Sequence, residues 1–173
     1  MQGYVHVYTG DGKGKTTAAL GLAVRAALSG MRVLIGQFMK GTDYAELGLR
    51  DIAFPSGSIE IVQYGTGRFI CQGESAGEED LAAARRGIED LVARIGSYDL
   101  VVADEICVAV HLGLLAVDDV LGLVDARPGH VELVLTGRRA PRAIVDRADL
   151  VTEMREVKHY YAGGVKARKG IEY

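Results

Sequence analysis

A chain of 173 residues with 49% hydrophobic and 25% charged content can bury one substantial core, which excludes a disordered or fibrous protein. A formal charge of −3 gives no electrostatic case for nucleic-acid binding, and no run of about 18 uncharged apolar residues is present to span a membrane. Two cysteines, Cys71 and Cys107, make neither a disulfide framework nor a zinc site and suit a reduced compartment.

The first predicted strand, residues 4–8, begins almost at Met1 and leaves no room for a signal peptide, so a cytoplasmic location is expected. Residues 9–14 form a Gly-rich turn, and a helix opens at Lys15. Residues 16–29 are rich in Ala and Leu on nearly every face, with Arg25 the one charge. They predict a buried helix stopped by Gly30. Residues 32–38 are a continuous apolar run of strand length, as in a parallel sheet covered on both faces. Residues 40–58 read as a long loop with one helical turn, and 59–64 as a strand. Residues 65–73 form a second glycine-rich loop carrying Phe69 and Ile70. Ser75 and Glu78 have the spacing of a capping box, and apolar residues then recur at helical spacing over 77–95.

Residues 99–105 predict a buried strand ending in Asp104 and Glu105. Short helices follow at 108–115 and 118–126, a strand at 131–136, a helix at 141–148 and a last strand at 150–154. Strands alternating with helices mean a single α/β domain over residues 1–173, with a mostly parallel sheet of about six strands and helices on both faces. Ligands of such sheets sit at the carboxyl ends of the strands. The loops after Tyr8, Phe38, Tyr64, Ala103 and Thr136 should therefore meet on one rim.

The residues that carry chemistry lie on that rim. Gly10, Asp11, Gly12, Lys13, Gly14, Lys15, Thr16 and Thr17 form a variant P-loop. Its backbone N–H groups and helix N-terminus cradle phosphate oxygens, Lys15 adds a charge, and the Thr16 hydroxyl can ligate Mg²⁺. The usual pattern has Gly five residues before the Gly-Lys pair. Thr9 stands there, and Gly10 and Gly12 supply the flexibility. Asp104 or Glu105 can hold the metal across the rim. Arg25 needs a partner on its apolar helix, either the nucleotide or a structural ion pair. Arg138 is either a phosphate contact or a solvated loop residue. No nucleophile–base pair supports hydrolase chemistry.

Several blocks together resemble the P-loop class of ATP:corrinoid adenosyltransferase: TGDGKGKTTAALGLAVRA, LVVADE, ARPGHVELVLTGR and ADLVTEMREVKHYYAGGVKARKGIEY. The resemblance implies a RecA-like P-loop fold and transfer of the 5′-deoxyadenosyl group of ATP to Co(I) of a corrinoid, with loss of triphosphate. It implies Mg²⁺, a flavoprotein reductant and a homodimer, with ATP and corrinoid as substrates. It places Lys15, Thr16 and Glu105 in catalysis, with Thr16, Asp104 and Glu105 at the metal. Arg25 is matched to a residue near the ribose. Phe69 with Ile70 is matched to the aromatic cover that displaces the lower ligand of cobalt. Ala162 stands where relatives often carry Asp, and an N-terminal extension of some relatives has no counterpart. Closure of that side is then expected from residues 40–58, the tail or a partner subunit. The competing readings are a small-molecule kinase or NTPase, and a nucleotide-responsive corrinoid-binding module without turnover.

Overall fold

The computed structural model describes residues 2–68 and 76–173. Among these residues six strands pair in parallel in one sheet: β1 (Val5–Thr9), β2 (Arg32–Phe38), β3 (Ser58–Tyr64), β4 (Leu100–Asp104), β5 (Glu132–Thr136) and β6 (Leu150–Glu153). Their order is β3-β2-β4-β5-β1-β6. The α-helices are α1 (Lys15–Leu28), α2 (Glu78–Arg94), α3 (Ile106–His111), α4 (Val117–Ala126) and α5 (Arg142–Arg147).

Two cores, one on each face, explain the unbroken apolar runs. In β4, Leu100 and Val102 face Ala19, Ala23, Ala26 and Ala27 of α1. Val101 and Ala103 face the opposite way, toward Leu91 of α2 and Val120 and Leu123 of α4. Residues alternate across a strand, so a strand buried on both sides needs apolar residues at every position. Each fully buried Leu or Ile contributes about 1.5–3 kcal/mol. The alanines of α1 let that helix lie close against the sheet.

The expectation that α1 is buried nearly all round is corrected. Thr17, Gly21, Arg25 and Leu28 form an exposed stripe, because among the described residues no second layer covers the outer side of this helix. Its end is as expected: Gly30 adopts φ 91°, its N–H bonds the carbonyl of Ala27, and the Met31 N–H bonds that of Ala26. The start of α2 differs. Gly77 is the N-cap, its N–H donating to the Asp80 carboxylate at 3.0 Å, and Ser75 lies outside the described residues. The helix predicted at 108–115 begins earlier, at Ile106, because Glu105 turns the chain directly out of β4. The one helical turn expected within residues 40–58 is a 3₁₀ turn, Ala45–Asp51.

Edge strand β6 sets the P-loop. The Met154 N–H donates to the Thr9 carbonyl at 2.8 Å, and the Gly12 N–H donates to the Met154 carbonyl at 2.7 Å. The turn therefore lies flat on the chain leaving β6. A Cβ on Gly10 would meet the Met154 oxygen at 2.5 Å and one on Gly12 at 2.7 Å. This contact explains why glycine stands at these two positions. Gly12→Ala should lower stability by about 1–3 kcal/mol. Its melting temperature against the native chain checks this, with an unchanged value counting against the contact.

Candidate nucleotide-binding site

The P-loop, the loop after β2, the ends of β4 and β5 and the carboxy-terminal tail surround one cavity of about 580 Å³. The α1 N-terminus opens into it. Its first turn carries no acidic residue and no side-chain cap, so its N–H groups and positive dipole end suit an anion. The Lys15 ammonium donates to the carbonyls of Gly10 at 2.6 Å and Gly12 at 2.7 Å, folded back onto its own loop. Burial holds its pKa below the usual lysine value, and the nearby Arg138 charge adds to the effect.

Opposite the loop, Asp104 is 1% exposed. Its Oδ1 accepts from the Thr16 hydroxyl at 2.8 Å and from the Thr136 hydroxyl at 2.7 Å. Its Oδ2 accepts from the Lys40 ammonium at 3.0 Å. Thr136 also accepts the Glu105 N–H at 2.9 Å. Both Asp104 oxygens are thus engaged, whereas Glu105 lines the cavity beside Thr16. Burial pushes the Glu105 carboxyl above the usual carboxylate range, and the Asp104 charge adds to the rise.

Lys40 spans two acids. Its ammonium lies 3.0 Å from Asp104 Oδ2 and 3.0 Å from Glu46 Oε1. Burial alone would lower its pKa, but Asp104 and Glu46 together raise it, so it stays charged. Gln37 donates to the same Glu46 oxygen at 2.9 Å. The Lys40 ammonium also sits over the Tyr44 ring, 4.8 Å from its centroid.

The tail forms the remaining wall. Lys13 donates to the Ile171 carbonyl at 2.7 Å and to Glu172 Oε1 at 3.0 Å. Glu172 also accepts from the Tyr160 hydroxyl and, at 2.7 Å, from the Arg168 N–H. Three non-glycine residues among those described have left-handed backbone: Met39 at φ 63°, Glu105 at φ 60° and Arg139 at φ 56°. Each follows the carboxyl end of a central strand, β2, β4 or β5. Such conformations cost of order 1 kcal/mol or more and persist where the surroundings enforce them, commonly at sites.

Gly12, Lys13, Gly14, Lys15, Thr16, Thr17, Glu105 and Arg138 all line the cavity. Gly10 and Asp104 support it from behind, and Asp11 is exposed on the loop. Arg25 stands apart from these residues. It is exposed on the last turn of α1, about 15 Å along the helix from Lys15, and does not line the cavity. Exposure removes the premise that this charge needs a partner. Phe69 and Ile70 lie outside the described residues. Sequence reasoning passed over Lys40, Glu46 and Thr136. Lys40 and Thr136 stand at the ends of β2 and β5, where the rim argument could have found them. Glu46 comes from an irregular loop and had no signal.

A strand–turn–helix unit bearing Lys15 and Thr16, on the carboxyl rim of a parallel sheet with a buried acid facing it, makes this an α/β P-loop nucleotide-binding protein. The chain belongs to the family of ATP:corrinoid adenosyltransferase BtuR/CobO/CobP, which matches residues 1–173. It is 40% identical over 176 residues to the corrinoid adenosyltransferase CobA of Salmonella typhimurium, covering 99% of this chain and 86% of that protein. Identity is 38% over 174 residues to the corrinoid adenosyltransferase of Escherichia coli K12, with the same coverage of 99% and 86%. It is 35% over 174 residues to that of Pseudomonas aeruginosa, covering 99% of this chain and 84% of the relative.

The raised Glu105 pKa has a sign. Its folded value lies above the ordinary 4.5, so the native state binds the proton more tightly than the unfolded chain. That contribution to stability is complete below the unfolded value and lost as pH rises through the folded one. Glu105→Gln should therefore melt at the same or a higher temperature than the native chain at neutral pH, while losing activity. A lower melting temperature at pH 7 than the native chain's would refute the buried-charge account.

Proposed function

We propose that this chain transfers the 5′-deoxyadenosyl group of ATP to the Co(I) of a corrinoid and releases triphosphate. The observation that carries this reading is the gathering of Lys13, Lys15, Lys40 and Arg138, with an uncapped helix N-terminus, around one cavity. Four cations beside an N–H cradle suit a polyphosphate that leaves whole, while Glu172 and Glu46 on the same lining hold Lys13 and Lys40 in place. Co(I) supplies the electron pair that forms the cobalt–carbon bond, and cobalt becomes formally Co(III). The pair of the broken C5′–O bond departs on the triphosphate oxygen, so no general base is needed. The task of the protein is to stabilise charge collecting on that oxygen and its neighbours. Phosphate oxygens compete with the Gly10 and Gly12 carbonyls for Lys15, and the loop N–H groups complete the cradle.

The residues present fit Mg²⁺. Thr16 and Glu105 offer hard oxygens into the cavity, and Asp104, itself fully engaged, orients the Thr16 hydroxyl. Among the described residues no three His, Cys, Asp or Glu converge, and Mg²⁺ needs no such cluster when phosphates complete its shell. When bound, the ion would neutralise charge on the triphosphate.

Reduction by a flavoprotein, a homodimer and a cytoplasmic location complete the reading. Exposed Leu150 and Val151 on edge strand β6 offer apolar surface to a second copy. No described helix is long and apolar enough to cross a membrane. Burial pushes the Cys107 thiol up to about 12, as suits an inert reduced cysteine. Phe69 is proposed as the apolar cover over the corrinoid.

Incubation with ATP, Mg²⁺ and chemically reduced cobalamin should give triphosphate together with the absorbance change of alkyl-cobalt formation. Formation of ADP without a cobalt–carbon bond would show a kinase or NTPase instead. Lys15→Ala should reduce turnover by about a hundredfold or more. Near-native rates in that variant would remove Lys15 from the cradle.

A further inference from the structure

So far Lys40 has counted only as one of four cations around the cavity, yet its ammonium is also held between two carboxylates on the rim. Its side chain is 13% exposed and lies between Glu46, 12% exposed, and Asp104, 1% exposed. Burying three charges is not reliably repaid by their mutual attraction, and apolar packing of similar volume often holds a fold equally well. The position of this trio therefore asks for a further role. Its two carboxylates belong to different machinery. Asp104 orients Thr16, and Glu46 belongs to the 3₁₀ turn whose Ala45 and Glu46, with the preceding Tyr44, form a wall of the cavity. The ammonium is the direct link between them, and Gln37 secures Glu46 from the strand side.

We infer that Lys40 is a positioning residue for adenosyl transfer, tying the loop wall to the carboxylate behind the cation site and limiting the negative charge of that site. The inference rests on the proposed nucleotide and Mg²⁺ site. Without the ammonium, Asp104 and Glu46 repel across the gap it fills, and the loop wall moves away. Glu105, Asp104 and Glu46 are then left with one cation fewer beside them. A divalent ion binds such a site more tightly, while the nucleotide loses a wall and a positive charge. A residue serving the fold alone would weaken both.

The test uses the full chain with Mn²⁺ as the metal probe, followed by electron paramagnetic resonance without nucleotide. Lys40→Met should bind Mn²⁺ about tenfold more tightly than the native chain, from the lost like-charge repulsion, and Lys40→Arg should restore the native value. With MgATP, KM should rise more than kcat falls in Lys40→Met. The chain contains no tryptophan, so Tyr44→Trp places a single tryptophan, excited apart from the remaining tyrosines, beside the ammonium. Adding Lys40→Met to that variant should shift its emission to the red as the wall opens. Should Lys40→Met fail to fold by circular dichroism, Lys40→Gln keeps hydrogen-bonding capacity without the charge and carries the same expectation. Mn²⁺ affinity equal to or below native in the uncharged variant, or unchanged tryptophan emission in the Tyr44→Trp background, overturns the inference. A native chain that neither binds Mn²⁺ nor forms a cobalt–carbon bond strikes the proposed function instead. A native chain that does both, matched in every respect by Lys40→Met, strikes only the role of Lys40.

Discussion

One buried carboxylate holds the working end of this molecule together. Asp104 accepts from Thr16 of the first turn of α1, Thr136 at the end of β5 and Lys40 just beyond β2. Three separate crossovers are thereby fixed to the end of β4. The arrangement depends on strand order. Because β5 lies between β4 and β1, the acid and the P-loop stand one strand apart, and Thr136 occupies the space between them. Were β4 and β1 neighbours, Thr136 would have no such place.

The same connection accounts for the unusual backbone on the rim. Glu105 is forced into a left-handed turn directly after Asp104, and its N–H is recovered by the Thr136 hydroxyl. The turn brings Glu105 to the cavity while Asp104 stays buried, which separates the two adjacent acids into different tasks. One orients a hydroxyl, and the other is available to a cation. Local strain is tolerated because these contacts leave the chain no alternative path.

Much of this was legible in the sequence, for physical reasons. Unbroken apolar strands signal a sheet covered on both faces, and Lys15-Thr16 after a Gly-rich turn signals an anion cradle. Local pattern also gave the Gly30 helix stop, because a left-handed residue there needs little beyond its neighbours. Other features depended on partners distant in the chain. The cap of α2 is a local contact between Gly77 and Asp80, but the Asp80 carboxylate is also held by Thr66 in the preceding loop, and no local spacing encodes that second contact. Arg25 misled because an apolar helix suggests burial, whereas the number of layers above a helix is a property of the whole fold. The pairing of Lys40 with Glu46 joins a strand end to an irregular loop whose path has no period to read.

The seating of Gly10 and Gly12 on the chain after β6 bears on how such a site can change over generations. The contact runs from main chain to main chain, through the Gly12 N–H and the Met154 carbonyl. Side chains at the exposed positions Asp11 and Arg155 are therefore free to drift without altering the cradle. Spacing is not free in the same way. One residue gained or lost between β6 and Arg155 would shift the ledge on which the turn rests, so this end of the chain is constrained in length far more than in identity.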